Sequence, residues 1–141
     1  VMIYLSEPVQ PLGSEYTLTV RNITALSGNP ITTGAGNTLG FTLTSPNADE
    51  PFAFPNPVQF AGNESITFAN LPRDPVVTVY SLEMKVLAVL SDSHNDGGIR
   101  WDGHTDSGES LGTGVYLFTV QGKSSSGMDV KSGLVKFAVI R

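Results

Sequence analysis

Apolar and polar residues alternate along this chain far more often than they recur at helical spacing. Tyr16-Thr17-Leu18-Thr19-Val20-Arg21 is the clearest case: Tyr16, Leu18 and Val20 share one side, and Thr17, Thr19 and Arg21 the other. That period of two is the signature of a half-buried strand. Such runs return every eight to fifteen residues, the rhythm of a β-sandwich or barrel. They predict strands at Met2–Ser6, Tyr16–Arg21, Thr38–Thr44, Ser65–Leu71, Val76–Ser81, Lys85–Leu90, Gly98–Trp101, Gly114–Gln121 and Gly133–Ile140. The expected inward rows include Ile66 with Phe68, Val77 with Val79, and Val135 with Phe137 and Val139. "VVTVYSLEMKVLAVL" has the composition of a helix as well. Its β-branched front half and the polar break at Ser81-Leu82-Glu83 favour two strands around a tight turn. The fold class read from this pattern is all-β, an immunoglobulin-like (fibronectin-III-like) antiparallel sandwich preceded by a partial β module.

The punctuation between strands divides the chain. "SGNPITTGAGN" is turn chemistry, with glycines for positive φ and Pro30 fixing its own φ. "SPNADEPFAFPNP", residues 45–57, carries four prolines and reads as a linker followed by an irregular edge strand. A boundary is therefore expected near residue 50, with modules at 1–48 and 49–141. The second holds about seven strands in roughly 90 residues, the size of an immunoglobulin-like sandwich. The first holds three, too few to close a two-sheet core, so apolar edge and face should remain exposed unless something covers them.

Composition narrows the function classes. Of 141 residues, 40% are hydrophobic and 15% charged, with 15 Gly, 9 Pro and no Cys. The absence of Cys excludes disulfides, thiolate metal sites and cysteine nucleophiles. A formal net charge of −5, with eight dispersed Lys and Arg, repels phosphate backbones, so no nucleic-acid partner is expected. No apolar run reaches the ~18 residues of a membrane-spanning helix. Val1 opens directly on an apolar run without a signal peptide, and the chain is expected to be part of something longer.

Four short motifs then fall in order. Pro55-Asn56-Pro57, Val79-Tyr80, Trp101-Asp102-Gly103 and Gly114-Val115-Tyr116, with "KFAVIR" at the close, resemble one bacterial immunoglobulin-like family. It is shared by the flagellar hook-capping protein and the C-terminal modules of many secreted proteins, among them the sorting domains read by the type IX secretion system. Two positions depart from the family pattern: Met84 stands where a turn glycine is usual, and Thr113 replaces the serine before Gly114. "YTLTVRNITALSGNPI" followed by "LGFTL" resembles the closing strands of another bacterial immunoglobulin-like repeat. The resemblance implies a non-catalytic structural or targeting module of a larger secreted or cell-surface protein. Its implied partners are proteins: a secretion machinery, or neighbouring copies joined through exposed strands.

The stretch densest in functional groups runs from residue 97 to residue 120. Trp101 takes the inward phase of its strand and is expected to anchor the core, with Asp102 closing an Asx-type turn and Gly103 adopting a left-handed conformation. The alternative is a sugar held by Trp101, Asp102 and His104. Asp92, His94 and Asp96 occupy positions one, three and five of a calcium-type loop, with Gly97 at six. Histidine is a poor calcium ligand, however, and position twelve is Gly103, which has no carboxylate. Asp102, His104 and Asp106 repeat the alternation, and imidazole with carboxylate in both runs would suit zinc or nickel. No cofactor and no metal are expected, with those residues as the candidates should one bind. With no Gly-x-Ser-x-Gly and two His, both in turn-rich loops, no enzyme is expected either. The remaining classes are a structural or targeting module, an extracellular assembly subunit, and a glycan- or adhesion-binding module.

Overall fold

A computed structural model of the protein describes residues 5–32, 34, 36–60 and 64–141. The expected strand at Met2–Ser6 lies outside them through Tyr4, and Leu5 and Ser6 are not in a strand. The elements are β1 (Tyr16–Thr19), β2 (Thr38–Phe41), β3 (Phe52–Phe54), β4 (Val58–Gln59), β5 (Ile66–Ala69), β6 (Arg73–Tyr80), β7 (Val86–Ser91), β8 (Gly98–Trp101), β9 (Gly114–Lys123), β10 (Asp129–Lys131) and β11 (Val135–Ile140). No helix occurs among the described residues.

From β3 onward the chain builds two facing sheets. One has three strands in the order β3-β5-β8; the other runs β4-β11-β9-β6-β7, with β10 pairing the far end of β9. All pairings are antiparallel except β4 with β11, which is parallel. The inward rows meet between the layers: Ile66, Phe68, Val77, Val79, Phe118 and Val120 have no exposed surface, and Phe137 and Val139 almost none. Phe68 sits at the centre, with ring centroids 4.8 Å from Phe118, 5.7 Å from Phe137 and 6.1 Å from Trp101. Packed aromatic clusters of this kind dominate small β cores. The stretch compatible with a helix is two strands, β6 and β7, because alternate residues of β6 meet this core.

The proline-rich approach to the sandwich explains its first two strands. Phe52–Phe54 pairs with β5 in one sheet, and Val58–Gln59 pairs with β11 in the other. Between them Pro55-Asn56-Pro57 carries the chain across, with cis peptide bonds before both prolines. Prolines donate no N–H, so this crossing has little claim on either ladder. Asn56 then accepts the Ala138 N–H through its side chain at 3.0 Å and fixes where the crossing lands on β11.

The leading residues form something different. Among the described residues β1 and β2 pair only with each other, in the register Tyr16↔Phe41 and Leu18↔Leu39. Opposed residues share a face, so Tyr16, Leu18, Leu39 and Phe41 form one apolar surface, with Tyr16 stacked on Phe41 at 5.8 Å. Leu39 remains 61% exposed and Phe41 37%. The segments flanking this ribbon are nonetheless built into the sandwich. The Pro11 carbonyl accepts Asn70 N–H at 2.8 Å, Ser45 N–H donates to the Leu71 carbonyl at 2.7 Å, and Ser45 and Ala48 are buried. Where the prolines predict a linker, the chain is anchored at Ser45 and packed at Ala48. Gly13 and Gly98 allow a close backbone approach: a β-carbon on Gly98 would lie 2.5 Å from the Gly13 Cα.

Candidate functional site

The loops around β8 gather most of the polar groups singled out in the sequence. Trp101 ends β8 and is 6% exposed, its ring held between Phe68 and the edge of Phe60. The indole N–H donates to the His104 carbonyl at 2.9 Å. Asp102 accepts the His104 N–H through its side chain at 3.1 Å, closing an Asx turn. Gly103 has φ 81°, and a β-carbon there would meet the Phe60 ring at 2.6 Å. Both conditions demand glycine. The indole face stacked on Phe68 is spent on the core.

His104 also links Asp102 to Ser110. Its Nδ1 lies 3.2 Å from Asp102 Oδ2 and its Nε2 3.1 Å from Ser110 Oγ. This is the order of groups in a hydrolase triad, but the environment differs. The His104 and Asp102 side chains are 51% and 69% exposed, whereas a triad aspartate works buried, where its charge is not screened. His104 and Ser110 face each other across a β-bridge. The bonds thus act as a clasp across the base of the hairpin loop. Backbone donation from His104 comes first among the causes that hold the Asp102 carboxyl below its ordinary value, against a smaller opposing effect of burial.

Asp92, His94 and Asp96 do not converge. His94 Nδ1 bonds Asp92 Oδ1 directly, while Asp96 turns away to accept the Gly98 N–H at 3.2 Å. Burial would raise the Asp92 carboxyl, but hydrogen bonds from the His94 backbone and ring, with its charge, outweigh that and lower it. The Asp92 hydrogen bond and charge raise the His94 imidazole. Among the described residues no three His, Asp or Glu side chains form a group able to hold a metal ion.

The remaining motif residues are distributed over the fold. The Tyr80 hydroxyl lies 3.4 Å from Thr119 Oγ1 on the neighbouring strand. Gly114 and Val115 open β9, Val115 pairing Ala138, and the Tyr116 hydroxyl donates to the Gly112 carbonyl at 3.0 Å. A tyrosine near the start of this strand, bonded back to the preceding loop, is the corner brace of immunoglobulin-like sandwiches. Met84, where the family resemblance implies a glycine, takes φ 65° in the β6–β7 turn.

Beside the hairpin clasp runs an open groove of about 710 Å³, lined in part by Phe60, Ser65, Arg100, Asp102, His104 and Arg141. Arg100 lies midway along the sandwich sequence and Arg141 at its close, and no local signal links them. Arg141 Nε donates to the Leu111 carbonyl and Arg100 Nε to Ser65 Oγ, so both guanidinium groups are partly engaged in bracing the walls. Glu64 and Asp102 balance their charge. No helix among the described residues is long and apolar enough to cross a membrane.

No family model matches the chain. No curated protein matches it either. Among solved structures, part of dimeric latent PorU from Porphyromonas gingivalis is similar, with 24% identity, 74% of this chain covered and a TM-score of 0.51. Part of PorZ, described as an essential bacterial surface component of the type-IX secretion system of the same organism, aligns with 23% identity over 64% of this chain at a TM-score of 0.49. The aligned region makes up 11% of each of those proteins. At this identity the likeness to PorU is one of fold.

Proposed function

We propose that the protein is a non-catalytic structural and targeting module of a larger secreted or cell-surface bacterial protein, working outside the cell with protein partners. One observation carries this reading: the motif residues spend their polar groups inside the fold. Asn56 fixes the sheet crossing, Trp101 and Asp102 tie the β8 turn, and Tyr116 braces the corner. None presents an unpaired, desolvated group to a substrate-sized hollow, which is what catalysis requires. The order of the motifs supplies the link to type IX sorting domains, and the sandwich shared with part of PorU is the fold such a module needs.

The test is export. The whole chain, fused to the C-terminus of a periplasmic reporter in a bacterium with a type IX system, should carry that reporter to the surface or medium. A strain lacking the machinery should retain it. A fusion that is protease-resistant, hence folded, yet stays in the periplasm would defeat the sorting role. The non-catalytic part is tested separately: hydrolysis of an activated ester should be the same with and without Ser110→Ala, and a hydroxyl-dependent rate would overturn it.

A second reading rests on the β1–β2 ribbon, whose apolar face and outer edges, unpaired among the described residues, suit completion by a neighbour's strand in an extracellular assembly. Light scattering showing a stable monomer, with no dye-binding surface, would remove it.

A further inference from the structure

The sandwich has a second place where strands could add, and it is closed. β7 is the outer strand of its sheet: β6 pairs with one edge, and among the described residues no strand pairs with the other. Its sequence, Val86-Leu87-Ala88-Val89-Leu90-Ser91, has six residues without charge, proline or glycine. Val86 and Val89 are about half exposed, at 49% and 51%, beside exposed Leu82 and Met84 on the adjoining turn. An uncharged, β-branched edge of this kind is a template for strand addition.

Asp106, at the tip of the β8–β9 loop, occupies that edge. Its N–H donates to the Leu87 carbonyl at 2.9 Å, and its Oδ1 accepts the Val89 N–H at 3.4 Å. These are the groups a paired strand would use, with the carboxylate standing in for a main-chain carbonyl. The loop that carries Asp106 is itself fastened. Gly108 N–H donates to the Thr105 carbonyl and Thr105 N–H to the Glu109 carbonyl, both at 2.8 Å, and the indole of Trp101 holds the His104 carbonyl.

We propose that the free edge of β7 is a strand-pairing surface for a second copy of this chain, held shut by Asp106. The occupant follows from the register. Antiparallel pairing about Ala88 places Leu87 of each copy opposite Val89 of the other, so both residues exchange N–H and carbonyl bonds across a two-fold axis. In that register Lys85 meets Ser91 and Glu83 meets Ser93, so no like charges oppose. The same Leu87 carbonyl and Val89 N–H cannot serve Asp106 and a partner at once. The inference is independent of the secretion role and of the β1–β2 ribbon.

Asp106→Pro is the decisive variant. It removes both the N–H and the carboxylate, and Asp106 sits at the second position of the Thr105–Gly108 turn, where proline is favoured. The full chain carrying it should keep its Trp101 emission and self-associate about tenfold or more tightly than the unmodified chain in sedimentation equilibrium. Asp106→Asn, which keeps both groups, should remain as monomeric as the parent. Adding Val89→Lys to Asp106→Pro should restore the monomer by charging the edge. A folded Asp106→Pro chain that stays monomeric, or dimers that survive Val89→Lys, would overturn the proposal. If Asp106→Pro does not fold, hydrogen exchange on the unmodified chain decides. The Val89 amide should exchange about tenfold more slowly than that of Leu87, which alternation turns to the same edge. Equal rates would show that Asp106 does not guard it.

Discussion

The sandwich and the β1–β2 ribbon are written in the same two-residue alphabet, yet they bury very different amounts of it. Phe68 and Phe41 are both strand phenylalanines paired across an antiparallel ladder, one with no exposed surface and the other 37% exposed. Alternation puts an apolar row on one face of a strand; only a second layer turns that face into a core. From β3 onward the second layer exists. Over Leu39 and Phe41 the described residues supply none. The ribbon is held instead at its two roots, by the bonds of Pro11 and Ser45 to the β5–β6 connection.

The largest expected effect separates these two phenylalanines. Phe68→Ala should cost about 3–5 kcal/mol of unfolding free energy, because it empties the centre of the aromatic cluster. Phe41→Ala should cost under about 1 kcal/mol, since its ring already meets water. Chemical denaturation of the two variants measures both. Comparable losses would mean that the ribbon carries a core of its own.

The joint between the regions should respond next. Gly98→Ala places a β-carbon 2.5 Å from the Gly13 Cα, an overpacking that should cost about 1–3 kcal/mol. The loss should appear first as faster exchange or proteolysis of residues 5–20, before the sandwich melts. A uniform loss across the chain would merge the two regions into one cooperative unit.

Smaller still is the gain from Met84→Gly. A non-glycine residue at φ 65° carries roughly 1 kcal/mol of strain, and relieving it in the β6–β7 turn should raise the melting temperature of the sandwich alone. No rise would mean that the Met84 side chain recovers its strain through packing.

The smallest effect is electrostatic. Asp92 raises His94 above its ordinary 6.5, so that contribution is complete below 6.5 and disappears as pH rises through the raised value. Asp92 is lowered from 3.8, so its contribution is present above 3.8 and disappears as pH falls through the lowered value. The pair thus acts mainly between those ordinary values. An NMR titration should place the His94 midpoint above 6.5, and Asp92→Asn should bring it back. Exposure of the imidazole keeps the effect on stability slight.

Much of the fold was legible in advance because burial and alternation are coupled locally. Gly98–Trp101 was recoverable to the residue, and the inward phase of Ile66, Phe68, Val77, Val79 and Phe137 followed from period two alone. The short strands β4 and β10 were not, because two or three residues hold too little pattern to show a period. At the candidate site, the Asx turn at Asp102 and the need for glycine at 103 were local and readable. The role of Asp106 was not, since nothing near it in sequence points to Leu87 and Val89.

The sequence by itself determined that the chain forms strands, and that Ile66, Phe68, Val77, Val79, Trp101, Phe137 and Val139 face inward. Those properties depend on neighbours one or two positions away. Only the tertiary structure decided that β3 and β4 enter different sheets, that Arg100 and Arg141 share a groove, and that a loop aspartate closes the edge of β7. These depend on groups far apart in the chain, brought together by the packing of two layers, and no local pattern encodes that packing.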